Sequence, residues 1–392
     1  MPIHDQQAML TGIKVLDMTS VVFGPYATQI LADLGAEVIK VETPIGDVMR
    51  YAGKSAASTG MGPSYLALNR GKQSITLDLK NPEDADVMRS LVAETDVFIH
   101  NVRDKAITKL GFGYEEAKAL NPDLIYVHCV GFGSGGPYAS LQAYDDVIQA
   151  ASGATTLASR VDGNPEPRYI PSLIADKVAG LHAAYATMAA IIHKLRGGGG
   201  QRVEVPMFEA FTGFMLKEHL AGKTFDPPAG DLLYERQVDP DRQPFPTADG
   251  FISIVPYTDQ SWPILFECLG NPEVLEDERL NTRTNRSANI RLLYQAIARQ
   301  TPSKTTSEWI EILRAARLPC MAVRDINDIL DDPHLQQSGF FESREHPSEG
   351  AIYEMREPSL FSDWEHPAPD PAPKLGEQSE AIKANLAKKP PV

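Results

Sequence analysis

The most informative chemical group in this 392-residue sequence is one carboxylate, Asp176, in the segment IADKVAG. It follows Pro171-Ser172 and stands at the start of a helical pattern that extends to about Arg196. A carboxylate there can complement the positive end of the helix dipole, a structural role worth ~0.3–1 kcal/mol. It can also serve as a nucleophile or a base. The position alone favours the structural role.

Other reactive residue types form no recognisable cluster. The nine histidines are scattered and are interpreted as structural. The three cysteines, Cys129, Cys268 and Cys320, are widely spaced and predict neither a zinc site nor a disulfide framework. Reduced thiols in a cytoplasmic protein are the simplest interpretation. There is no GxGxxG after the first strand and no GxSxG, and no metal site is predicted.

Composition excludes several classes of protein. A net charge of −15 argues against a general nucleic-acid or anionic-membrane binder, since both favour a basic face. An anionic ligand would need a local cluster of Lys and Arg. No signal peptide is expected, and no membrane helix is expected because no run of about 18 uncharged apolar residues occurs.

The first half of the chain alternates strand-like and helix-like segments, which predicts an open, doubly wound α/β sheet with parallel strands. Gly24-Pro25 is expected to break the chain before the first helix. On the long helix, apolar residues recur at spacings of three and four, namely Val178, Leu181, Tyr185, Met188, Ile192 and Leu195. Strands are expected at 13–17, 37–41, 74–79, 96–99, 124–128 and 203–205, and helices at 26–34, 82–93, 115–120 and 176–196.

The second half differs in composition, with prolines between 227 and 246 that indicate irregular chain. A turn at 247–250 leads into the strand FISIV, and helices are expected near 262–269, 288–298 and 306–316. The predicted domains are therefore a large one at 1–220, a small one at 225–315, and a segment at 318–392 that returns to the large one.

The sequence resembles the class III CoA-transferase family, also called the CaiB/BaiF or formyl-CoA transferase-like family. The resemblance covers nearly the whole chain and rests on the order and spacing of several segments. They include GIKVLDMTSVVFGPYATQILADLGAEVIKVE, LNRGKQSITLDLK, ADKVAGLHAAYATMAAIIHKL, GGGGQRVEVPMFEA and LPCMAVRDINDILDDPHLQQSGFF.

The resemblance makes Asp176 the expected nucleophile, since family members carry one catalytic aspartate at this helix start. Its carboxylate would attack an acyl-CoA thioester to give a mixed anhydride, and an aspartyl-CoA thioester would follow. The helix N-terminus is expected to keep Asp176 ionised. CoA and acyl-CoA act as substrates, with no permanently bound cofactor, and a small carboxylic acid is the acceptor.

The resemblance also indicates which residues contact CoA, and Arg103 and Lys109 are the expected phosphate ligands. Arg70, Lys72 and Lys105 would add local positive charge. Family contacts also fall near Thr43, but a contact is disfavoured there because other members place a basic residue at that position. The complete set of expected CoA contacts is Val22, Phe23, Leu77, Lys80, Asn101, Val102, Arg103 and Lys109.

The glycine turn 131–136 and Tyr144 bear on the chemistry of the acyl group. Backbone N–H groups at Gly131 and Gly133 are candidate oxyanion donors, and a tight turn is an equal alternative. Related α-methylacyl-CoA racemases carry a histidine where Tyr144 stands. Tyrosine, with a pKa near ~10, is a poor proton shuttle, which favours the transferase. Tyr144 either lines the acyl pocket or packs as a buried residue, and a non-catalytic acyl-CoA-binding protein is a third alternative.

The family architecture implies an α/β fold with a Rossmann-like large domain built from both chain ends and a smaller α/β domain. It also implies two chains interlocked as a homodimer, with neither nucleic acid nor membrane as a partner. Arg50 and Arg168 are candidates to pair with a second carboxylate of the acid, although a surface position is favoured for both.

Overall fold

Six strands pair in parallel into one sheet in the order β3-β2-β1-β4-β5-β6. Val15 of the central strand lies opposite Val38 on one side and Val97 on the other. The expected α/β class with a parallel sheet is therefore confirmed. The strands are β1 (Lys14–Met18), β2 (Glu37–Glu42), β3 (Lys72–Thr76), β4 (Val97–His100), β5 (Ile125–Val130) and β6 (Gln201–Pro206).

Fifteen α-helices occur in the residues that this computed structural model describes, 7–388. The first nine are α1 (Phe23–Asp33), α2 (Pro63–Asn69), α3 (Pro82–Glu94), α4 (Asp104–Lys109), α5 (Tyr114–Leu120), α6 (Asp145–Ala151), α7 (Leu157–Asp162), α8 (Ile174–His193) and α9 (Met207–His219). The others are α10 (Ser261–Cys268), α11 (Arg283–Ala288), α12 (Ile290–Gln300), α13 (Thr306–Ala315), α14 (Pro333–Gln337) and α15 (Ser379–Ala387).

The described residues group into two compact units. The first unit contains the residues up to Ala154, Tyr169–Met215 and those from His334 on, and the second contains Thr155–Arg168 and Leu216–Pro333. The domains predicted from the sequence remain a proposal. Their bounds differ from these units, because 155–168, 216–220 and 318–333 group with the second unit.

The second unit has its own antiparallel sheet and its own core. Strands β7 (Phe245–Pro246), β8 (Phe251–Ile254) and β9 (Cys320–Ala322) pair in that order. Trp262, Phe266 and Trp309 are buried together in the core, and the Trp309 indole N–H donates to the Thr301 carbonyl at 2.6 Å. The first unit also has the hairpin β10 (Phe341–His346) and β11 (Gly350–Met355).

Local sequence chemistry explains where α1 and β3 begin and end. Gly24-Pro25 does not break the chain as expected. Because the first helical turn needs no N–H from Pro25, α1 begins at Phe23 and includes both residues. Strand β3 ends at Thr76 rather than Leu79, because the chain turns at Asp78 and Asn81 caps α3.

The outer edge of the sheet is covered by the C-terminal part of the first unit. The β3 backbone N–H of Ser74 donates to Gln378 at 2.8 Å, and that of Thr76 donates to Ser379 at 3.1 Å. Ile382 of α15 is buried in the core beneath that edge. An uncovered parallel edge would offer free N–H groups to another chain, so this segment protects β3.

The long helix α8 packs with small residues rather than with its large apolar ones. Its buried face carries Ala179, Gly180 and Ala183, and it lies against α1. A Cβ on Gly180 would lie 2.9 Å from the Phe23 carbonyl oxygen, so only glycine permits this approach. The apolar residues Leu181, Tyr185, Ile192 and Leu195 lie on an exposed stripe instead.

Candidate active site

A cavity of about 1150 Å³ opens at the carboxyl ends of the central strands of the large sheet. The loops after β1, β4 and β5 form its walls, with Val21, Asn101 and Gly131 among the lining residues. The chain runs outward from β1 to β3 and then returns to β4 on the other side of β1. Neighbouring loops therefore diverge at this switch point, which is where open α/β sheets bind ligands.

Asp176 lies in the first turn of α8 and faces this cavity, although its residue surface is only 5% exposed. Its backbone N–H donates to the Asp145 carboxylate at 3.0 Å. Within residues 7–388, no hydrogen bond engages the Asp176 carboxylate itself. A carboxylate without a hydrogen-bonding partner keeps its lone pairs for attack on an electrophile.

The Asp176 carboxyl has a strongly raised pKa. Burial raises the pKa to about 7, and the negative charge of Asp145 acts in the same direction. Burial and the like charge of Asp145 therefore act against the ionisation that the helix N-terminus is expected to favour.

Asp145 is held in place by Gln149, one turn later on α6. Gln149 Nε2 donates to Asp145 Oδ1 at 2.5 Å, and Gln149 Oε1 accepts the Ile170 N–H at 2.8 Å. The segment that leads into α8 is thus tied to the helix that carries Asp145. Sequence reasoning missed Asp145, and the only available signal was the acidic pair Asp145-Asp146 directly after Tyr144.

Part of the expected CoA-contact set surrounds the cavity. Phe23, Asn101, Val102 and Arg103 line it. Val22, Leu77, Lys80 and Lys109 lie outside its walls, and Thr43 is also outside. Val22 and Leu77 are buried, whereas Lys80 and Lys109 are exposed. The CoA contacts of all these residues remain predictions.

Several basic residues expected near the ligand are instead used inside the fold. Lys72 is fully buried and pairs with Asp17 at 3.1 Å, and Arg70 pairs with Asp33 at 2.6 Å. The predicted local positive charge from Arg70 and Lys72 is therefore wrong. Of that set, Lys105 does line the cavity.

Two arginines proposed for a second substrate carboxylate are also paired within the chain. Arg50 is 1% exposed and pairs with Glu42 at 2.6 Å, so the favoured surface position is wrong for it. Arg168, in the second unit, is exposed and pairs with Asp162 at 2.7 Å. Arg202, which the sequence did not single out, lines the cavity.

The glycine turn after β5 offers fewer donors than expected. The Gly133 N–H already donates to Glu209, at 3.0 Å to Oε1, and the Ser134 N–H donates to Glu204 at 2.8 Å. Gly133 is therefore not a free oxyanion donor. Gly131 lines the cavity, and a Cβ there would lie 2.2 Å from that of Ala143, which explains the glycine.

Tyr144 lines the cavity and is 64% exposed. The alternative that it packs as a buried residue is therefore wrong. It directly precedes α6, whose first residue is Asp145. The structure thus brings Tyr144 and the Asp145–Asp176 contact to the same cavity.

A stacked pair of imidazoles lies at another part of the wall. His128 lines the cavity and stacks on His100, with ring centroids 4.4 Å apart. His128 Nε2 lies 3.0 Å from the Val102 carbonyl and His100 Nε2 lies 2.8 Å from the Tyr126 hydroxyl. Burial lowers the pKa of both rings. Cys129 lines the cavity as well, and burial raises the pKa of its thiol.

Residues 7–388 contain neither a metal-binding cluster nor a membrane-spanning helix. No group of three or more His, Cys, Asp or Glu side chains is arranged to hold a metal ion. No helix in that range is long and apolar enough to cross a membrane.

Comparisons with known proteins agree with this arrangement of fold and cavity. The model of CoA-transferase family III matches residues 10–379. A succinate–glutarate CoA-transferase of Agrobacterium fabrum is 32% identical over 386 residues, which cover 96% of this chain and 95% of that protein. A formyl-CoA:oxalate CoA-transferase of Shigella sonnei is 31% identical over 409 residues, covering 96% and 95% of the two chains.

Solved structures show the same likeness. The crystal structure of a CaiB/BaiF family protein from Brucella suis superposes with a TM-score of 0.82 at 32% identity. That match covers 97% of this chain and 100% of the other. The fold is that of an α/β enzyme with a cavity beyond the carboxyl ends of a parallel sheet. This chain belongs to CoA-transferase family III.

Proposed function

We propose that this enzyme moves CoA from an acyl-CoA donor to a carboxylic acid through covalent intermediates on Asp176. The observation that carries the proposal is the buried Asp176 carboxylate, which faces a cavity of about 1150 Å³ without a hydrogen-bonding partner among residues 7–388. Family membership supports CoA transfer. The burial of Asp176 supports its role as the nucleophile, because the anhydride must be kept from water.

The first half of the reaction transfers the donor acyl group and then releases it. Asp176 Oδ attacks the thioester carbon, the C–S bond breaks, and CoA leaves as a thiolate. The thiolate attacks the Asp176 Cγ of the mixed anhydride, which releases the donor acid and leaves an aspartyl-CoA thioester. No proton is gained or lost in either step.

The second half runs the same chemistry with the acceptor. The acceptor carboxylate attacks the aspartyl thioester and expels CoA thiolate, which forms a new mixed anhydride. The thiolate then attacks the acceptor's carbonyl carbon, so the new acyl-CoA forms and the Asp176 carboxylate is regenerated. Because the activated carbonyl is conserved throughout, the energy of the thioester is not lost.

The Asp176 carboxyl must ionise before it can attack. With a pKa of about 7, it is about half ionised at neutral pH. A desolvated carboxylate is also a stronger nucleophile than a hydrated one, because no water shell must be removed first. Burial therefore reduces the reactive fraction but raises its reactivity.

The relatives suggest the acids to test. Their names specify succinate, glutarate and oxalate, which are short dicarboxylic acids. We infer that the acceptor here belongs to the short carboxylic acids, with Tyr144 at the acid end of the cavity. Arg103, Lys105 and Arg202 line the same cavity and supply positive charge for anionic ligands.

The larger unit serves in this proposal as a Rossmann-like CoA-binding domain, and two chains form an interlocked homodimer in the cytoplasm. The exposed apolar stripe on α8 supports the dimer, because Leu181, Tyr185 and Ile192 are each about half exposed. A contiguous apolar helix face of this kind is typical of a surface that a second chain covers.

Trapping the intermediate tests the proposed function. The enzyme is incubated with succinyl-CoA, quenched with hydroxylamine, and digested for mass spectrometry of the peptide that contains Asp176. A hydroxamate at Asp176, absent in Asp176→Asn, is the expected result. Absence of the adduct together with CoA binding would indicate a binding protein. Exchange of an α-proton with deuterium from solvent, without acyl transfer, would indicate a racemase.

A further inference from the structure

The loop that follows β1 holds a strained residue against the cavity. Val21 has φ +73°, in the left-handed region, and it lines the cavity wall. A β-branched residue strongly disfavours this conformation, because its Cβ approaches the carbonyl oxygens. Such a backbone persists only where its surroundings hold it, and strain of this kind is concentrated at functional sites.

Two side chains from distant parts of the chain hold this backbone. Asp47 Oδ1 accepts the Val21 N–H at 3.1 Å. Asn101 holds Ser20 from both sides, since its Nδ2 donates to the Ser20 carbonyl at 2.8 Å and its Oδ1 accepts the Ser20 N–H at 3.1 Å. Both polar ends of the Asn101 amide are therefore engaged by the loop rather than by the cavity.

Asp47 belongs to a buried ion pair. Its Oδ2 lies 3.1 Å from Lys40 Nζ, and the two side chains are 1% and 0% exposed. Lys40 Nζ also donates to the Thr19 carbonyl at 2.9 Å, while the Asp47 N–H donates to Glu42 at 3.0 Å. One ion pair thus fixes the loop at Thr19 and again at Val21.

We propose that the Lys40–Asp47 pair is a positioning device for acyl-CoA, which holds the Val21 backbone in a strained shape that the ligand requires. Neither charge faces the cavity, so the pair acts through the backbone of the loop. The inference rests on the proposed function, because it takes CoA to be the occupant of this cavity. A Val21 that was released would relax to the extended region and move the cavity wall.

Calorimetric titration of the full-length protein with CoA tests this proposal. Substitutions at position 21 separate the effect of backbone strain on CoA affinity from the effect of losing the valine side chain. Asp47→Ala is expected to weaken CoA binding about tenfold, which corresponds to ~1.4 kcal/mol. Adding Val21→Gly to Asp47→Ala should restore the affinity to within about threefold of the parent, because glycine adopts positive φ without support. The matched Val21→Ala in the same background loses the same methyl groups but still disfavours positive φ, so it should restore nothing.

Each outcome has a distinct meaning. If the parent protein does not bind CoA, the proposed function fails. If the parent binds CoA and Asp47→Ala binds it equally well, the positioning role is overturned, even when the melting temperature falls. Equal rescue by glycine and alanine would overturn the role of strain. If Asp47→Ala does not fold, Asp47→Leu replaces it, because leucine has a similar branched shape but has no acceptor for the Val21 N–H, and the same glycine–alanine comparison decides.

Discussion

The backbone N–H of Asp176 donates to the carboxylate of Asp145 at 3.0 Å, so the candidate nucleophile is held beside a second negative charge. The contact has two opposing effects. It fixes the first turn of α8, and it disfavours ionisation of the carboxyl that we propose as the nucleophile. Together with burial, it brings the Asp176 pKa to about 7.

The pH dependence of kcat/KM is expected to report this carboxyl. The reactive form is the carboxylate, so activity should rise with pH and level off above about pH 7. Asp145→Asn should move the rising limb to lower pH, because it removes the like charge while burial persists. Initial rates across pH 5 to 9 measure this. Asp146→Asn, which removes an exposed charge one residue away, is the control and should leave the limb in place.

The free energy of unfolding should fall with rising pH, opposite to the expected rise in kcat/KM. The Asp176 pKa lies near 7 in the folded protein. It lies near 3.8 in the unfolded chain, where neither burial nor the Asp145 charge acts on the carboxyl. Its contribution to stability is therefore complete below pH 3.8 and is lost as pH rises through about 7. Asp176→Asn, which never ionises, should melt at a higher temperature than the parent at pH 8. Thermal melts should show that the difference shrinks toward pH 4, and an unchanged difference would contradict the raised pKa.

Gly180 should be intolerant of any side chain. A Cβ there would lie 2.9 Å from both the Phe23 carbonyl oxygen and the Tyr26 ring. Gly180→Ala gains about 1 kcal/mol of helix propensity, but overpacking costs about 1–3 kcal/mol and should dominate. The control is Gly213→Ala on α9, where a Cβ meets nothing within 4 Å. This substitution should stabilise the fold. Denaturant unfolding of the two variants should therefore give changes of opposite sign.

Removing one charge of the buried Arg50–Glu42 pair should lower the free energy of unfolding more than removing both charges. Arg50 donates to Glu42 at 2.8 and 2.6 Å, and its guanidinium lies 3.8 Å from the Tyr65 ring centroid. Arg50→Met leaves a buried charge without its partner and should destabilise by roughly 3–5 kcal/mol. Arg50→Met combined with Glu42→Gln should lose less. Urea titrations in which the double variant is less stable than Arg50→Met would refute this.

The apolar stripe on α8 should govern assembly. Leu181→Arg together with Ile192→Arg places two charges on a face that the proposed dimer would bury, and charge burial is strongly unfavourable. Sedimentation at micromolar concentration should show a dimer for the parent and dissociation or misfolding for the variant. Leu181→Met with Ile192→Met keeps the apolar character and should remain dimeric. A monomeric parent would refute the dimer.

The sequence was sufficient for features that depend on local pattern. Hydrophobic periodicity located the strands of the large sheet, and the segment IADKVAG located Asp176 at the start of α8. It was insufficient where partners come from distant residues. Asp145 lies 31 positions from Asp176 in the chain, and Glu209, which engages the Gly133 N–H, lies 76 positions away.

The basic residues illustrate the same physical limit. Arg50, Arg70 and Lys72 look like ligands for anions when only residue type is considered. Each is buried against a carboxylate of a neighbouring element, and composition cannot reveal that pairing. The apolar stripe on α8 shows a second limit, because its regular spacing is also typical of a helix face buried in its own chain. A regular apolar spacing identifies a face that avoids water, but it does not say whether the same chain covers it.

The position of the cavity at the switch point of the sheet has an evolutionary consequence. Its walls are loops that leave β1, β4 and β5, whereas the stability of the sheet depends on residues beneath them, such as Val15 and Val97. Loop residues can therefore be exchanged without disturbing strand pairing. A lineage with this topology can change the ligand that its cavity accepts through a few loop substitutions, while the aspartate at the start of α8 and the scaffold are inherited unchanged.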